Sequence, residues 1–406
     1  MEHTDVLVVG GGQAGLAVSH ELTRHGIGHV VLERGRIGQT WRDRWDSFCL
    51  VTPNWTVQLP GGPYAGDDPD GYMPRDEIVA YLEGYAAASS APVREGVAVH
   101  SIDRSAGGFV AQTSAGEFSA GRVVLATGAF QRAHRPAGAE GLPSELLQID
   151  IADYQNPAAV PAGPILIVGS GQSGAQLAEE LREAGREVVL SCGKAPWAPR
   201  RFGGKDLLWW LVKSGFLDQP VAQITTPGAR LLSNPLATGH GGGHDLNLRT
   251  LRAMGVTLAG HFQGAAGTRV QFAPDLADSV AWGDARYRDI IALATKTARE
   301  LGLPQPDLPE PEPFEGAAPE EISLDGFGAV VFAGGFRPDF RSWLPWTDAF
   351  DAAGFPIQVD GRSSVVDGLY FVGTHFLRTR KSSILYGVGE DAAIVARTIA
   401  EQLAAA

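Results

Sequence analysis

VLVVGGGQAG fills residues 6–15, and its pattern predicts the first structural unit of this 406-residue chain. The four apolar residues at its start predict a buried parallel strand. Gly10, Gly12 and Gly15 then follow in the spacing G-x-G-x-x-G. In this motif the first glycine permits a tight turn, the second lets a pyrophosphate approach the backbone, and the third lets the next helix pack closely. We therefore expect a helix over 14–25 whose N-terminal N–H groups face phosphate.

A carboxylate completes this first unit. The apolar stretch at 29–32 predicts a second strand, and Glu33 follows it directly. A carboxylate at this point can accept hydrogen bonds from both hydroxyls of an adenosine ribose. A glycine turn alone is also compatible with a structural role, but strand, turn, helix, strand and acid within about thirty residues form a specific signature. We interpret the unit as a site for an adenine dinucleotide without a 2′-phosphate, such as FAD.

ILIVGSGQSG at residues 165–174 repeats the first motif. Here the strand predicted at 187–190 ends in Ser191 rather than in an acid, and Lys194, Arg200 and Arg201 follow. A carboxylate would repel a 2′-phosphate, whereas a hydroxyl with nearby cations would bind one. The second unit therefore suits NADPH better than NADH, with a solvated basic loop as the alternative for the three cations.

Composition limits the classes of partner. The formal net charge of −13 argues against nucleic acid or an anionic membrane surface. The apolar stretches are shorter than the ~18 residues that a membrane span requires. Since the first strand begins by residue 5, we expect no secretory signal and a cytoplasmic location. Cys49 and Cys192, the only cysteines, do not form C-x-x-C, so neither a redox dithiol nor a metal site is expected.

The order of predicted elements gives an α/β fold with two Rossmann-like dinucleotide-binding domains and a β-meander. We expect a discontinuous FAD domain at 1–155 and 326–406. An NADPH domain at 156–325 is inserted into it and carries a substrate-side excursion. The assembly state is left open, with a homodimer as one option.

Shorter elements are predicted inside these domains. Strands at 97–102, 109–113 and 117–119 predict the meander, and a buried strand follows at 123–126. If the strand at 369–372 lies beside the first strand, the N-terminus of the final helix would lie over the flavin and stabilise its reduced form.

Motifs along nearly the whole chain resemble those of class B flavin monooxygenases, including YUCCA-like and CzcO-like proteins. They are GGGQAG, WRDRWDSFCLVTPNWTVQLPG, PRDEIVAYLEGYA, VVLATG, GSGQSGAQLAEEL, FAGGFRPDF and LYFVGTHF…GVGEDAAIVA. The resemblance implies an enzyme in which NADPH reduces FAD and dioxygen adds at flavin C4a. One oxygen atom then passes to a small-molecule substrate by N-, S- or carbon oxygenation.

One motif departs from that family. Its interdomain fingerprint, F-x-G-x-x-x-H followed by an aromatic residue, corresponds here to SELLQIDIADY, with Ser144, Leu146 and Asp150 in place of the first three and Tyr154 retained. Two other functions therefore stay open. One is an NADPH-dependent flavin reductase or dehydrogenase that passes electrons to another acceptor, and the other is an FAD-binding redox sensor.

The candidate site residues follow from the motifs and the resemblance. Asn54, in the TPNW turn, is the catalytic candidate, with a turn asparagine as the alternative. The residues expected at FAD are Gly10, Gly12, Gln13, Ala14, Gly15, Glu33, Arg34, Thr40, Trp41, Val99, Thr127, Gly128 and Gly373. Those expected at NADPH are Gly169, Ser170, Gly171, Gln172, Ser173, Gly174, Ser191, Lys194, Arg200 and Arg201.

Three further groups have two interpretations each. Trp41 and Trp45 would either wall the flavin or fill the core. His240 and His244 would either bind a metal ion or be ordinary loop residues, and the lack of a metal-ligand pattern in their glycine-rich loop argues against the metal. The cations Arg378, Arg380 and Lys381 would either bind an anionic substrate or lie in a solvated loop.

Overall fold

The structure, a computed structural model, describes residues 1–224, 227–231 and 234–405. Its strands are β1 Glu2–Val9, β2 His29–Leu32, β3 Gln58–Leu59, β4 Gly62–Pro63, β5 Val93–Arg94, β6 Val99–Ser105, β7 Gly108–Thr113, β8 Gly116–Leu125, β9 Arg132–Ala133, β10 Leu147–Asp150, β11 Ile165–Val168, β12 Val188–Ser191, β13 Arg201–Phe202, β14 Lys205–Asp206, β15 Thr257–Ala259, β16 Phe262–Ala266, β17 Arg269–Phe272, β18 Glu321–Ser323, β19 Ala329–Phe332, β20 Phe336–Arg337, β21 Gln358–Val359, β22 Arg362–Ser363 and β23 Leu369–Phe371. Its helices are α1 Gln13–Arg24, α2 Gln39–Arg42, α3 Arg75–Ala88, α4 Gln172–Glu183, α5 Leu207–Lys213, α6 Leu248–Ala253, α7 Leu276–Glu300 and α8 Val388–Ala404.

The first sheet has the order β21-β22-β23-β8-β1-β2-β5, with β6 and β7 attached beyond β8. Its central strands β2, β1, β8 and β23 run parallel. The predicted last meander strand and the predicted buried strand are one continuous strand, β8. Its first half pairs antiparallel with β7 while its second half lies buried against β1 and β23. One ten-residue strand thus joins the meander to the nucleotide-binding core.

The second sheet is fully parallel and has the order β10-β19-β11-β12-β15. Strands β10 and β19 fall in the FAD domain by the predicted boundaries at 155 and 326, but both pair in this second sheet. Their side chains explain the pairing, since the four residues of β19 are fully buried beside β11. The two sheets and their strand directions confirm the predicted fold class of two Rossmann-like units with a β-meander.

The helices cover these sheets as expected for dinucleotide-binding units. Helix α1 follows β1, and α8 packs along it with Val388, Val395 and Ile399 fully buried. Strand β23 pairs with β8 and not with β1. The prediction that the N-terminus of the final helix lies over the flavin depended on β23 lying beside β1, so its condition is not met. That helix instead completes the layer on the α1 face of the sheet.

The segment between β12 and β19 contains most of the helices and strands that the sequence pattern did not predict. Helix α7 is 25 residues long and packs beside α5. The proline-rich segment at 303–321 runs over α7, where Tyr287 donates a hydrogen bond to the Pro309 carbonyl at 2.7 Å and Arg288 pairs with Glu310 at 2.7 Å. Among the described helices, none is both long and apolar enough to span a bilayer.

Candidate cofactor and active site

The first glycine turn has a shape that excludes side chains except at one position. A Cβ placed on Gly10, at φ +111°, would lie 2.5 Å from the Ala126 carbonyl oxygen. A Cβ on Gly15 would lie 1.8 Å from the Gly10 oxygen. At Gly12, in contrast, a Cβ would meet nothing within 4 Å. The open side of the turn is therefore at Gly12, where the motif expects pyrophosphate.

The second turn repeats this geometry. Gly169 has φ +113° and a Cβ there would lie 2.6 Å from the Ala333 oxygen, while a Cβ on Gly174 would lie 1.9 Å from the Gly169 oxygen. Gly12 and Gly171 begin helices α1 and α4 with similar extended backbone angles, and neither helix has a side-chain cap within the described chain. Both N-termini thus present backbone N–H groups that suit phosphate.

Strand pairing corrects the comparison of the two units by one residue. Gly10 donates its N–H to the Leu32 carbonyl, and Gly169 donates its N–H to the Ser191 carbonyl. Ser191 therefore corresponds to Leu32, and the residue that replaces Glu33 is Cys192. Ser191 turns its hydroxyl inward to the Gly260 carbonyl at 2.9 Å and is 3% exposed, so it is withdrawn from the predicted phosphate site.

Glu33 is buried and its carboxylate faces the first turn. One oxygen accepts the Gly11 N–H at 2.6 Å and the other accepts the Gly35 N–H at 2.9 Å. Cys192 at the matching position is fully buried, and burial raises the pKa of its thiol. The acid of the first unit is thus matched by a neutral group in the second, which agrees with the charge argument made from Ser191.

Gln13 joins two segments at the first turn. It accepts a hydrogen bond from Trp41 Nε1 at 3.0 Å and donates one to the Ser383 carbonyl at 3.2 Å. Gly373 follows β23, and a Cβ there would lie 2.4 Å from that of Ala14. The structure therefore brings Trp41, Gln13, Ala14 and Gly373 together, and their contact with FAD stays a prediction. Trp45 packs edge-on against Phe48 with ring centroids 5.0 Å apart and is 3% exposed, which makes it a core residue.

His375 was not identified from the sequence. Its Nδ1 lies 3.5 Å from Ser383 Oγ, beside the segment that Gln13 contacts. Burial, followed by the charges of Arg230 and Arg380, lowers the pKa of His375 to about 4. The imidazole is therefore neutral near pH 7. The only sequence signal was its position directly after the Gly373-Thr374 turn.

Asn54 is buried, and the backbone uses both ends of its amide. Nδ2 donates to the Asp68 carbonyl at 2.9 Å, and Oδ1 accepts the Met73 N–H at 2.7 Å. These bonds hold the segment at 68–73 and match the turn-asparagine alternative. A catalytic role of Asn54 stays a prediction.

Arg200 lies at the junction of the two units and not in a solvated phosphate site. It is 2% exposed, and its Nε lies 2.8 Å from both Asp206 Oδ2 and Tyr72 Oη. Nη1 donates to the Val51 carbonyl at 2.7 Å. Since its charge is already compensated, we remove Arg200 from the predicted phosphate ligands. Exposed Lys194 stays a candidate.

Arg201 and Gln172 make backbone contacts in the same region. Arg201 donates to the carbonyls of Gly242 and Gly243, both at 3.0 Å. Gln172, at the start of α4, donates to the Ala237 carbonyl and accepts the Ala237 N–H at 3.0 Å. Both side chains thus bind the segment at 237–243, and their predicted contacts with NADPH stay open.

His240 lies in this segment, and His244 directly follows it. His240 pairs with Glu183 at 3.1 Å and His244 with Glu179 at 2.6 Å, so both histidines tie the loop to α4. The part of the chain that the structure describes contains no group of three or more metal-ligating side chains arranged to hold an ion.

The three cations after β23 differ in their partners. Arg378 pairs with Asp391 at 2.9 Å, and Lys381 pairs with Asp218 at 2.6 Å and Glu390 at 2.5 Å. Arg380 donates to the amide oxygen of Gln219 at 2.7 Å, and its guanidinium lies over the rings of Phe216 and Phe376 at 4.3 and 4.9 Å.

Arg380 thus differs from its two neighbours. Within the residues described, no carboxylate pairs with it, and burial lowers the pKa of its guanidinium.

The altered fingerprint stretch forms edge strand β10 and the turn after it. Asp150 pairs with Arg135 at 2.8 Å, and Tyr154 is 1% exposed. Ser144 is exposed, and Leu146 is half-buried against the apolar cluster that includes Leu166 and Phe332. Within this stretch, β10 pairs with β19 at the edge of the second sheet.

The remaining predicted residues surround the two turns at different depths. Thr127 and Gly128 both accept from the Gln131 amide, at 2.9 and 3.0 Å, where β8 ends beside the first turn. Val99 begins the meander opposite Thr113. Exposed positions are Arg34 and Thr40, and Ser173 is half-buried in the first turn of α4.

Comparison with known proteins places these features in a family. The model of the pyridine nucleotide-disulphide oxidoreductase family matches residues 7–210. An uncharacterised CzcO-like oxidoreductase of Geobacillus kaustophilus (strain HTA426) is 33% identical over 395 residues, which cover 97% of each chain.

Two further proteins are similar over smaller regions or in structure. The indole-3-pyruvate monooxygenase YUCCA1 of Oryza sativa subsp. japonica is 30% identical over 189 residues, covering 45% of this chain and 46% of that protein. A flavin-containing monooxygenase from Stenotrophomonas maltophilia has a TM-score of 0.69 at 22% identity, with 99% of this chain and 100% of that chain covered.

Proposed function

Starting from the fact that this chain belongs to the pyridine nucleotide-disulphide oxidoreductases and, within them, to the class B flavin monooxygenases, we propose that it transfers one oxygen atom from O₂ to a small-molecule substrate. Its membership confirms the predicted enzyme class, an oxidoreductase, and the predicted cofactor pair, FAD and NADPH. The substrate and the chemical steps are proposals.

The observation that carries the proposal is the pair of glycine turns with the same shape and different strand ends. The first turn, with Glu33 behind Gly11 at 2.6 Å, would hold FAD at its pyrophosphate and ribose. The second, with Cys192 at the acid's place, would hold NADPH. When bound, the flavin would supply two kinds of chemistry, namely the acceptance of hydride from the nicotinamide and the subsequent reaction with dioxygen.

The protein's own groups have a supporting task in this chemistry. Residues around Gln13, Trp41 and Ser383 would fix the flavin, because they are already tied to each other beside the first turn. His375 stays uncharged near pH 7, so this side chain adds a neutral polar group to the segment beside the proposed flavin site. Water must be kept from the site, because a wet site loses reduced oxygen as hydrogen peroxide.

The thiols argue against the disulphide chemistry in the family's name. Burial raises the pKa of Cys49 to about 11, and burial also raises the pKa of Cys192. Disulphide exchange requires a thiolate nucleophile, so both thiols are poor candidates near neutral pH. The proposal for a monooxygenase is therefore preferred to that for a disulphide reductase.

Arg380 supports a substrate with a negative group. It is the cation after β23 that lacks a carboxylate among the residues described, and it lies against two aromatic rings. An uncompensated, partly buried cation is stabilised by an anionic ligand. If this holds, Arg380→Met raises KM for carboxylate substrates at least about tenfold and leaves KM for neutral amines and sulfides unchanged.

The proposed reaction is tested with the FAD-loaded enzyme and ¹⁸O₂. Amines, sulfides, ketones and aromatic carboxylates are screened for stimulation of NADPH oxidation, and oxygen uptake is recorded in parallel. We expect one substrate class to consume NADPH and O₂ in equal amounts and to gain a single ¹⁸O atom. Substrate-independent peroxide formation, or faster turnover without oxygen when quinones are supplied, would instead favour the reductase.

A further inference from the structure

The adenosine end of the second unit lies where β12 meets the glycine turn. Gly193 follows Cys192, and its backbone is tied to the turn: Ser170 Oγ accepts the Gly193 N–H at 3.0 Å and lies 3.2 Å from its carbonyl oxygen. In the first unit the corresponding link is made by Glu33 and the Gly11 N–H. The ribose position of the second unit is therefore bordered by the segment 192–194.

A histidine from the next strand reaches this segment. His261 follows β15, which pairs parallel with β12 through Ser191 and Ala259. A Cβ placed on Gly193 would lie 3.0 Å from His261 Nε2. Glycine at this position thus makes room for the imidazole, which is 49% exposed and open to a ligand.

Asp275 fixes the orientation of that imidazole. Its Oδ2 lies 2.6 Å from His261 Nδ1, and its Oδ1 accepts the His261 backbone N–H at 2.9 Å. Gly260 has no space for a side chain, since a Cβ there would lie 2.5 Å from Asp275 Oδ1. Because an ionised carboxylate only accepts hydrogen bonds, Nδ1 is the donor and Nε2 faces the segment after β12.

The groups around the segment leave His261 Nε2 free to meet an anionic ligand. Burial would raise the pKa of Asp275, but its hydrogen bonds from His261 and the charge of that histidine lower it on balance. The other titratable groups around the segment are Lys194, which is exposed, and Cys192, whose pKa burial raises. With Ser191 turned inward and Arg200 compensated by Asp206, His261 and Lys194 are the basic side chains near this strand end that can contact an anion.

We propose that His261, positioned by Asp275, binds the 2′-phosphate of NADPH and sets the preference for NADPH over NADH. The inference rests on the proposed function, because it needs a pyridine nucleotide in the second unit. In dinucleotide-binding motifs, the residue that distinguishes NADH from NADPH is normally sought at the end of the second strand. His261 lies about seventy residues beyond that strand end.

The test is calorimetric titration of the FAD-loaded enzyme with NADP⁺ and, separately, with NAD⁺. His261→Gln should weaken NADP⁺ about ten- to hundredfold, the range of one charge-assisted hydrogen bond, and leave NAD⁺ unchanged. His244→Gln is the matched control, because His244 is also paired with a carboxylate at 2.6 Å and is 44% exposed. Flavin absorbance and the melting temperature verify that each variant is folded.

A second variant tests the positioning of the imidazole. Asp275→Asn should weaken NADP⁺ and leave NAD⁺ unchanged, because the carboxylate that orients His261 through Nδ1 is lost. Equal losses for both nucleotides, or an unchanged NADP⁺ affinity in His261→Gln, would overturn the inference. A wild-type enzyme that binds neither nucleotide would refute the proposed function itself, and the inference with it.

Discussion

At the scale of the residue, Glu33 hydrogen-bonds to Gly11 and Gly35 within its own unit, whereas Arg200 is held by residues from distant segments of the chain. Glu33 was identifiable because the two strands and the glycine turn of its unit lie within one short segment, residues 6–33. Arg200 was misassigned because Val51, Tyr72 and Asp206, which hold it, belong to other segments of the fold. Cys192 was missed by one position because only strand pairing shows that Ser191 matches Leu32.

His375 gives a prediction for the pH dependence of stability. Its pKa of about 4 in the folded protein lies below the ordinary value of 6.5, so the unfolded chain takes up the proton first as the pH falls. Stability should therefore decrease between pH 6.5 and 4, by at most ~1.4 kcal/mol per pH unit from this group. Urea unfolding of His375→Asn should show a shallower pH slope than the wild type. His3→Asn, which changes an exposed histidine, serves as control and should keep the wild-type slope.

At the scale of the element, the sequence predicted the helix after the first glycine turn and the final helix, α8, but not α7. Helix α7 buries Val280, Tyr287 and Ala294 at intervals of seven residues, which is a helical pattern. Small and polar residues between them weaken the apolar signal, and the contacts that the following proline-rich segment makes with the helix are not encoded in a sequence pattern. The sequence also did not predict that β10 and β19 pair in the second sheet, because a buried apolar strand fits either sheet.

The first glycine turn allows its structural and ligand-binding positions to be separated. Gly12→Val places its side chain where nothing lies within 4 Å, so the apo protein should keep its stability within about 0.5 kcal/mol. FAD affinity should fall at least about tenfold, because the side chain would occupy the open face of the turn. Fluorescence titration of apoprotein with FAD measures this change.

Gly15→Ala is the contrasting variant in the same turn. Its Cβ would lie 1.8 Å from the Gly10 oxygen, so the strand and helix must separate. We expect a loss of about 1–3 kcal/mol in the free energy of unfolding, as for overpacked cores, without FAD present. If Gly12→Val destabilised the apo protein as much as Gly15→Ala, the open face would not be a ligand position.

At the scale of the whole molecule, hydrogen bonds join the two units, and the buried Arg200–Asp206 ion pair lies at their junction. Asn156 donates to Asp46 at 2.7 Å, and Ser47 donates to Glu180 at 2.9 Å. Arg200 adds the most buried of these links, with Asp206 on one side and the Val51 carbonyl on the other. A buried cation of this kind binds distant segments together, because its partners are unpaired when it is removed.

Arg200→Met should therefore destabilise the protein by about 3–5 kcal/mol, the range for breaking a buried ion pair. Arg201→Met, the exposed neighbour, should change stability by no more than about 0.5 kcal/mol. Urea unfolding of both variants measures the difference. An Arg200→Met protein of normal stability with weakened NADP⁺ binding would instead restore Arg200 to the phosphate site.

The repetition of the turn is explained if both units serve one flavin. Ligands bind beyond the carboxyl ends of parallel strands, and hydride transfer needs the reacting atoms ~3–3.5 Å apart. Gly171 has φ −68° and ψ −172°, which a valine also adopts, so Gly171→Val should fold and keep FAD. Its side chain would displace NADPH, and the rate of flavin reduction by NADPH should fall at least about a hundredfold, while dithionite still reduces the flavin. Stopped-flow absorbance records both reductions, and a normal NADPH rate in this variant would mean that the second turn does not serve the flavin held by the first.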